Sequence, residues 1–138
     1  MKTLIELLTQ KNLTLASCES LTGGLFTAVF TETAGIGQVF KGGLVVYSNE
    51  AKIKLAKISP SVLEKHGAIS AECAKEMATN TQQLLGTDLA ISFTGNASPT
   101  SQENKPVGLV YIGLAIKDKA IVKELQFWIT VFWFTRRD

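Results

Sequence analysis

The chain reads as an α/β sandwich built around a mixed β-sheet. Short apolar runs of strand length alternate with helical patterns along most of its length. Two β-rich runs joined by a tight turn follow near the end, which adds an antiparallel hairpin. A composition of 46% hydrophobic and 19% charged residues is the balance of an ordinary globular domain. The 138 residues suffice for one domain with a core of its own, and no repeat, linker or low-complexity segment divides them.

Met1 to Lys11 places Leu4, Ile5, Leu7 and Leu8 on one side of a short amphipathic helix. Leu13 to Cys18 is small and apolar, a strand. Thr22-Gly23-Gly24 opens a second helix running to about Thr33, with Leu25, Ala28, Val29 and Phe30 turned inward. Gly42-Gly43 precedes Leu44-Val45-Val46-Tyr47, a continuous apolar run of the buried-strand kind. Ser48 or Asn49 caps the next helix. Ser59-Pro60 starts another, since Ser caps and Pro suits the first helical position, and it ends near His66-Gly67. Ser70 to Cys73 begins the longest helix, which stops at Gly86. Asp88 to Phe93 is a buried strand, and Thr94 to Lys105 a polar loop. Leu109 to Ile116 and Ile121 to Phe127 form the hairpin, turning at Asp118-Lys119.

Several function classes are disfavoured. A net charge of +2, with lysines scattered among acids, offers no stripe for nucleic acid and no membrane-binding face. No run of about 18 apolar residues is present, and the first residues lack a secretory pattern because Glu6 breaks the apolar stretch. Two cysteines, Cys18 and Cys73, are too few for a disulfide framework and fit a cytoplasmic location.

The segment Ser17 to Gly24 is the most informative. A strand ends and a helix begins there, which aims free backbone N–H groups and the positive end of the helix dipole at one place. Ser20 in that corner could act as a nucleophile with its oxyanion held by those amides. The plainer alternative, which the local pattern favours, is that Ser20 or Thr22 caps the helix. A nucleophilic serine needs a base. His66 sits in a helix-end context that suits capping better than catalysis. Lys52 is the other candidate, provided that its pKa is lowered, with Tyr47 nearby to relay a proton or hold it; a core tyrosine and a solvated lysine remain the alternative. A cysteine hydrolase built on Cys18 and His66 is a further possibility, although both cysteines read better as small buried hydrophobes.

Four ordered blocks resemble the CinA C-terminal domain, or nicotinamide-nucleotide amidohydrolase, family over about residues 4 to 126. They are Glu19-Ser20-Leu21-Thr22-Gly23-Gly24, Gly42 through Lys52, His66-Gly67-Ala68-Ile69-Ser70, and Lys105-Pro106-Val107-Gly108. The resemblance implies a three-layer α/β/α fold. It also implies deamidation of nicotinamide mononucleotide to nicotinic acid mononucleotide and ammonia. Ser20 would be the nucleophile, with Lys52 and Tyr47 assisting. Glu19, Thr22, Gly23, Gly24, Thr94, Gly95 and Asn96 would contribute to substrate binding. Neither a metal nor another cofactor is implied. The partners would be a small nucleotide substrate and further copies of the chain in a dimer or larger homo-oligomer, with no nucleic acid or membrane. Whether the amides near Thr22 to Gly24 hold the oxyanion or a substrate phosphate is left open.

Two departures stand out. Ser98 occupies a loop position where the family has glycine, which would be costly if a positive φ were required there. The aromatic tail from Phe127 to Asp138 replaces the family's arginine-bearing turn and terminal helix. Both favour an alternative role as a catalytically weak or inactive nucleotide-binding or regulatory domain, linked to competence or the DNA-damage response.

Overall fold

A computed structural model describes residues 2–127. The tail beyond Phe127, and the expectations placed on it, lie outside the described residues.

Five strands form one mixed sheet in the order β2-β1-β3-β4-β5. They are β1 (Leu15–Glu19), β2 (Phe40–Val45), β3 (Leu89–Gly95), β4 (Leu109–Ile116) and β5 (Lys119–Gln126). β2, β1 and β3 run parallel, whereas β4 and β5 pair antiparallel to complete the expected hairpin. The helices are α1 (Lys2–Gln10), α2 (Leu25–Phe30), α3 (Asn49–Lys54), α4 (Pro60–His66) and α5 (Ala71–Leu85), with a single 3₁₀ turn at Ile36–Gln38.

Alternation along the central strands divides the core into two layers. On one face Leu15 packs with Ile5 and Leu8 of α1, Phe30 of α2 and Val39. On the other, Cys18 meets Cys73 and Met77 of α5 together with Val46, Ala56 and Ile58. On the same face as Cys18, Ala16, Ala90 and Ala115 of three adjacent strands meet Ala78 of α5, so helix and sheet approach closely. Ser92 Oγ completes the contact by donating to the Ala74 carbonyl at 2.6 Å. Helices on both faces make the α/β/α sandwich.

Local signals set most boundaries. Ser48 accepts from the Ala51 amide at 3.0 Å and starts α3. Ser70 accepts from the Cys73 amide at 3.1 Å and starts α5, which ends at Gly86 with φ 63°. Pro60 opens α4 and His66 closes it.

Three expectations need correction. Leu4 and Leu7 are exposed while Ile5 and Leu8 are buried, because α1 touches the sheet along only a narrow stripe. α2 begins at Leu25 rather than Thr22, since Gly23 and Gly24 take left-handed φ values of 59° and 101° and form a turn. Within α2, Ala28 is exposed, and Phe26 turns inward to stack on Phe30 at 5.3 Å. The run Leu44 to Tyr47 is not a continuous buried strand. β2 starts earlier, ends at Val45 and lies at the sheet edge, so its residues alternate between half-buried and exposed.

One close approach sets the β1–β2 spacing. A Cβ on Gly43 would sit 2.2 Å from Ser17 Oγ and 2.7 Å from the Ser17 carbonyl oxygen. Gly43→Ala is therefore expected to cost about 1–3 kcal/mol, measured as a lowered urea midpoint with an unchanged m-value.

Candidate active site

The parallel strands β1, β2 and β3 end on the same side of the sheet, and a cleft of about 340 Å³ opens beyond them. Ser20 lies one residue past β1, anchored by its amide to the Phe93 carbonyl at 2.9 Å. β2 ends just before Val46, which is tied back by its own amide to the Glu19 carbonyl at 2.8 Å. The chain then turns, Ser48 caps α3, and the first turn of that helix carries Lys52 into the interior, where it is 2% exposed.

Lys52 Nζ stands 2.9 Å from Ser20 Oγ, 3.0 Å from the Val46 carbonyl and 3.2 Å from the Tyr47 carbonyl. Among the described residues no carboxylate forms an ion pair with it. Burial, opposed only weakly by the neighbouring Cys73, Cys18 and Glu103, holds its pKa below the ordinary lysine value. The three contacts suit both protonation states. As an ammonium, Lys52 donates to all three oxygens. As a free amine, it donates to the two carbonyls and turns its lone pair on the Ser20 hydroxyl.

Tyr47 is placed differently from the expectation. Its side chain is 70% exposed at the cleft rim, and its contact with Lys52 is through the main-chain carbonyl. Glu19 does not line the cleft. Fully buried, its carboxylate accepts from the Phe26 amide at 2.9 Å, the Thr27 amide at 3.0 Å and the Thr27 hydroxyl at 2.7 Å. Ser17 Oγ lies 2.8 Å from that hydroxyl and completes the chain. Glu19 therefore caps α2 from the strand before it, in place of Ser20 or Thr22. The first amides of α2 are thereby taken. Within the turn, the amides of Leu21, Thr22 and Gly24 have no acceptor among the described residues, and Leu21 lines the cleft.

Thr22 faces an apolar hollow between α2 and the sheet, bordered by Phe26, Val29, Phe93 and Ile112, rather than the cleft. Gly23 and Gly24 supply the left-handed turn. Thr94 and Gly95 do line the cleft, with Thr94 Oγ1 donating to the Ala68 carbonyl at 2.8 Å. Asn96 is buried behind it. Its amide donates to the Leu109 carbonyl at 2.9 Å, and its side-chain oxygen accepts from the Ser98 amide at 3.2 Å. Ser98 lines the cleft without the positive φ that would have made it costly.

Glu103, given no role in the sequence reading, also lines the cleft, and Lys105 lies beside it outside the lining. The turn Gln102 to Lys105 places Glu103 and Asn104 at φ 55° and 57°, closed by the Lys105 amide on the Gln102 carbonyl at 2.9 Å. Each non-glycine residue in that conformation costs roughly 1 kcal/mol. The turn brings the Glu103 carboxylate onto the amides of Ala68 and Ile69 at 2.9 and 3.0 Å. Although partial burial alone would raise its pKa, those two amides and Lys105 outweigh it and hold the carboxyl below its ordinary value. Lys105 Nζ in turn donates to the His66 carbonyl at 2.6 Å and to the Ile69 carbonyl. The local sequence signal for these contacts is nil, because they join positions more than thirty residues apart.

The thiol alternative loses its basis. Cys18 and Cys73 are buried and unpaired, and burial pushes them up to about 11 and about 12. His66 is exposed at the end of α4, with Nδ1 3.7 Å from Glu72.

Fold and cleft together define an α/β domain with a buried serine–lysine pair at the carboxyl ends of its parallel strands. The CinA C-terminal domain family matches residues 1–129, and the chain belongs to that family. A competence-damage inducible protein of Bacillus cereus is 51% identical over 118 residues, covering 86% of this chain and 29% of that protein. A counterpart from Bacillus cytotoxicus is 50% identical over the same shares. The chain thus spans about three-tenths of the length of these relatives. The crystal structure of competence damage-inducible protein A from Klebsiella pneumoniae superposes with a TM-score of 0.93 at 27% identity, over 96% of this chain and 83% of that one. A CinA superfamily protein from Escherichia coli gives 0.92 at 27% identity, over 96% and 77%. Among the described residues, no helix is long and apolar enough to cross a membrane.

Glu19→Gln is expected to lower stability by about 1–3 kcal/mol in urea titration, because one buried acceptor is lost where amides converge. Both thiols should resist alkylation near neutral pH in the folded protein and react once it is unfolded, as read by mass spectrometry.

Proposed function

We propose that this domain is an amidohydrolase which deamidates nicotinamide mononucleotide to nicotinic acid mononucleotide and ammonia. The 2.9 Å contact between Ser20 Oγ and Lys52 Nζ, in a cleft open to solvent, carries this reading. The substrate comes from the family resemblance of the ordered blocks. A lysine buried without a carboxylate is expensive to keep, and a purely structural or regulatory role supplies no reason to retain it. The alternative of an inactive domain also loses the support of Ser98, which is unstrained.

In this mechanism the free amine of Lys52 takes the Ser20 proton as Oγ attacks the carboxamide carbon. The Leu21 amide, next after the nucleophile and without an acceptor among the described residues, is the donor available to the oxyanion. Collapse breaks the carbon–nitrogen bond, and the Lys52 ammonium returns its proton to the departing nitrogen, which leaves as ammonia. Water then enters, gives its proton to Lys52 and cleaves the acyl-enzyme to the acid, restoring Ser20. The carbonyls of Val46 and Tyr47 keep Lys52 aimed throughout, which is a role for the Tyr47 backbone rather than its phenol.

Ser20→Ala should reduce ammonia release from nicotinamide mononucleotide by about 10³-fold or more without loss of fold, and wild-type turnover in that variant would refute the assignment. Lys52→Arg keeps a cation and its donors but cannot offer a lone pair, so it should lose roughly 10²–10⁴-fold. Because the free amine is the active form, the rate should rise with pH through the Lys52 pKa. Burial places that limb below the ordinary 10.5, and a limb at 10.5 would contradict it.

A further inference from the structure

Among the residues that line the cleft, the charged side chains are Lys52 and Glu103. For Ser20 to be activated Lys52 must be uncharged, which leaves the carboxylate of Glu103, among the described residues, as the one formal charge facing a bound ligand. Lys105, its neighbour at 3.4 Å, directs its ammonium toward the His66 and Ile69 carbonyls and does not border the cleft. The Glu103 side chain keeps 31% of its surface exposed at the cleft wall, while its two oxygens are steadied by the Ala68 and Ile69 amides. Ser20 and Lys52 come from the β1 and β2 ends of the sheet. Glu103 comes from the loop after β3 and lines the same space, which is about as large as one ring with its substituent.

We infer that Glu103 is a specificity-determining residue that selects carboxamides whose ring carries a positive charge, the N1-substituted nicotinamide cations, over uncharged rings of the same shape. This rests on the proposed deamidation of nicotinamide mononucleotide at the same cleft. With its carboxamide at Ser20, an N1-substituted ring holds its charged nitrogen within one ring's width, inside the space that Glu103 also lines. A carboxylate fixed there attracts the cation on binding. The left-handed turn at Glu103 and Asn104 is what presents the carboxylate to the cleft.

The test compares two probes that differ in ring charge but share carboxamide, ribose and phosphate: nicotinamide mononucleotide and its reduced 1,4-dihydro form. Binding of each to the Ser20→Ala variant is measured by calorimetry, so that turnover does not intervene. The oxidised form should bind tighter by about tenfold or more. In Ser20→Ala/Glu103→Gln that ratio should fall several-fold toward unity, and the ratio within one variant cancels any general loosening of the site. In the Ser20-intact protein, Glu103→Gln should raise KM more than it lowers kcat. It should also move the acidic limb of the kcat profile to lower pH, because a negative charge that favours the Lys52 ammonium has gone. Equal binding of the two probes with Glu103 in place, or an unchanged ratio after its replacement, overturns the proposal even if ammonia is released. Failure of both probes to bind overturns it too, whereas charge-selective binding without ammonia release refutes only the deamidase reading.

Discussion

Lys52 brings an amine into the protein interior with no acid among the described residues paired to it, and the architecture of the cleft follows from how that is made tolerable. Its acceptors are neutral: a hydroxyl and two main-chain carbonyls exposed where β2 stops and the chain swings into α3. A carboxylate at that point would stabilise the ammonium and silence the lone pair. Burial of the side chain holds water away and keeps the amine's basicity down. β2 ending at Val45, Ser48 capping α3, and Val46 tying back to Glu19 together fix the line from Lys52 to Ser20.

Two carboxylates support this arrangement from opposite sides, and both are occupied by backbone amides. Glu19 is sealed in and holds the start of α2, which anchors the turn carrying Ser20. Glu103 holds the segment between α4 and α5 while part of it stays in contact with solvent. Chemically identical groups thus serve differently because one is desolvated and the other is not. The amides each takes up are no longer available to a ligand, so the anion-binding potential expected at the start of α2 narrows to Leu21, Thr22 and Gly24.

Features set by short-range chemistry were readable from the sequence. Ser48 and Ser70 cap, Pro60 begins a helix, Gly86 ends one, and the β4–β5 hairpin forms with its turn at Lys117-Asp118, one residue before the expected Asp118-Lys119. The Ser20–Lys52 pairing was open as a candidate from the residue chemistry and favoured by the ordered blocks, since periodicity cannot bring together residues 32 positions apart. What escaped depends on context that a linear pattern does not carry. Glu19 reaches forward to cap α2, displacing the nearer hydroxyls because a buried carboxylate accepts several amides at once. Leu44 to Tyr47 looks like a central strand, yet its place at the sheet edge leaves Val45 and Tyr47 exposed. Glu103 gives no local sign at all, because its partners lie more than thirty positions away along the chain.

The alanine layer between α5 and the sheet has a consequence for motion. Ala16, Ala78, Ala90 and Ala115 leave no long side chains to re-pack, and at Gly113 a Cβ would come within 2.5 Å of the Ala74 carbonyl. Sliding α5 across the strands would open voids or force collisions, so the helix behaves as a fixed wall. Along the cleft the 97–107 segment is likewise tied down, closed where the Gly108 amide donates to the Asn96 carbonyl at 2.8 Å and joined to residues 66–69 through Glu103 and Lys105.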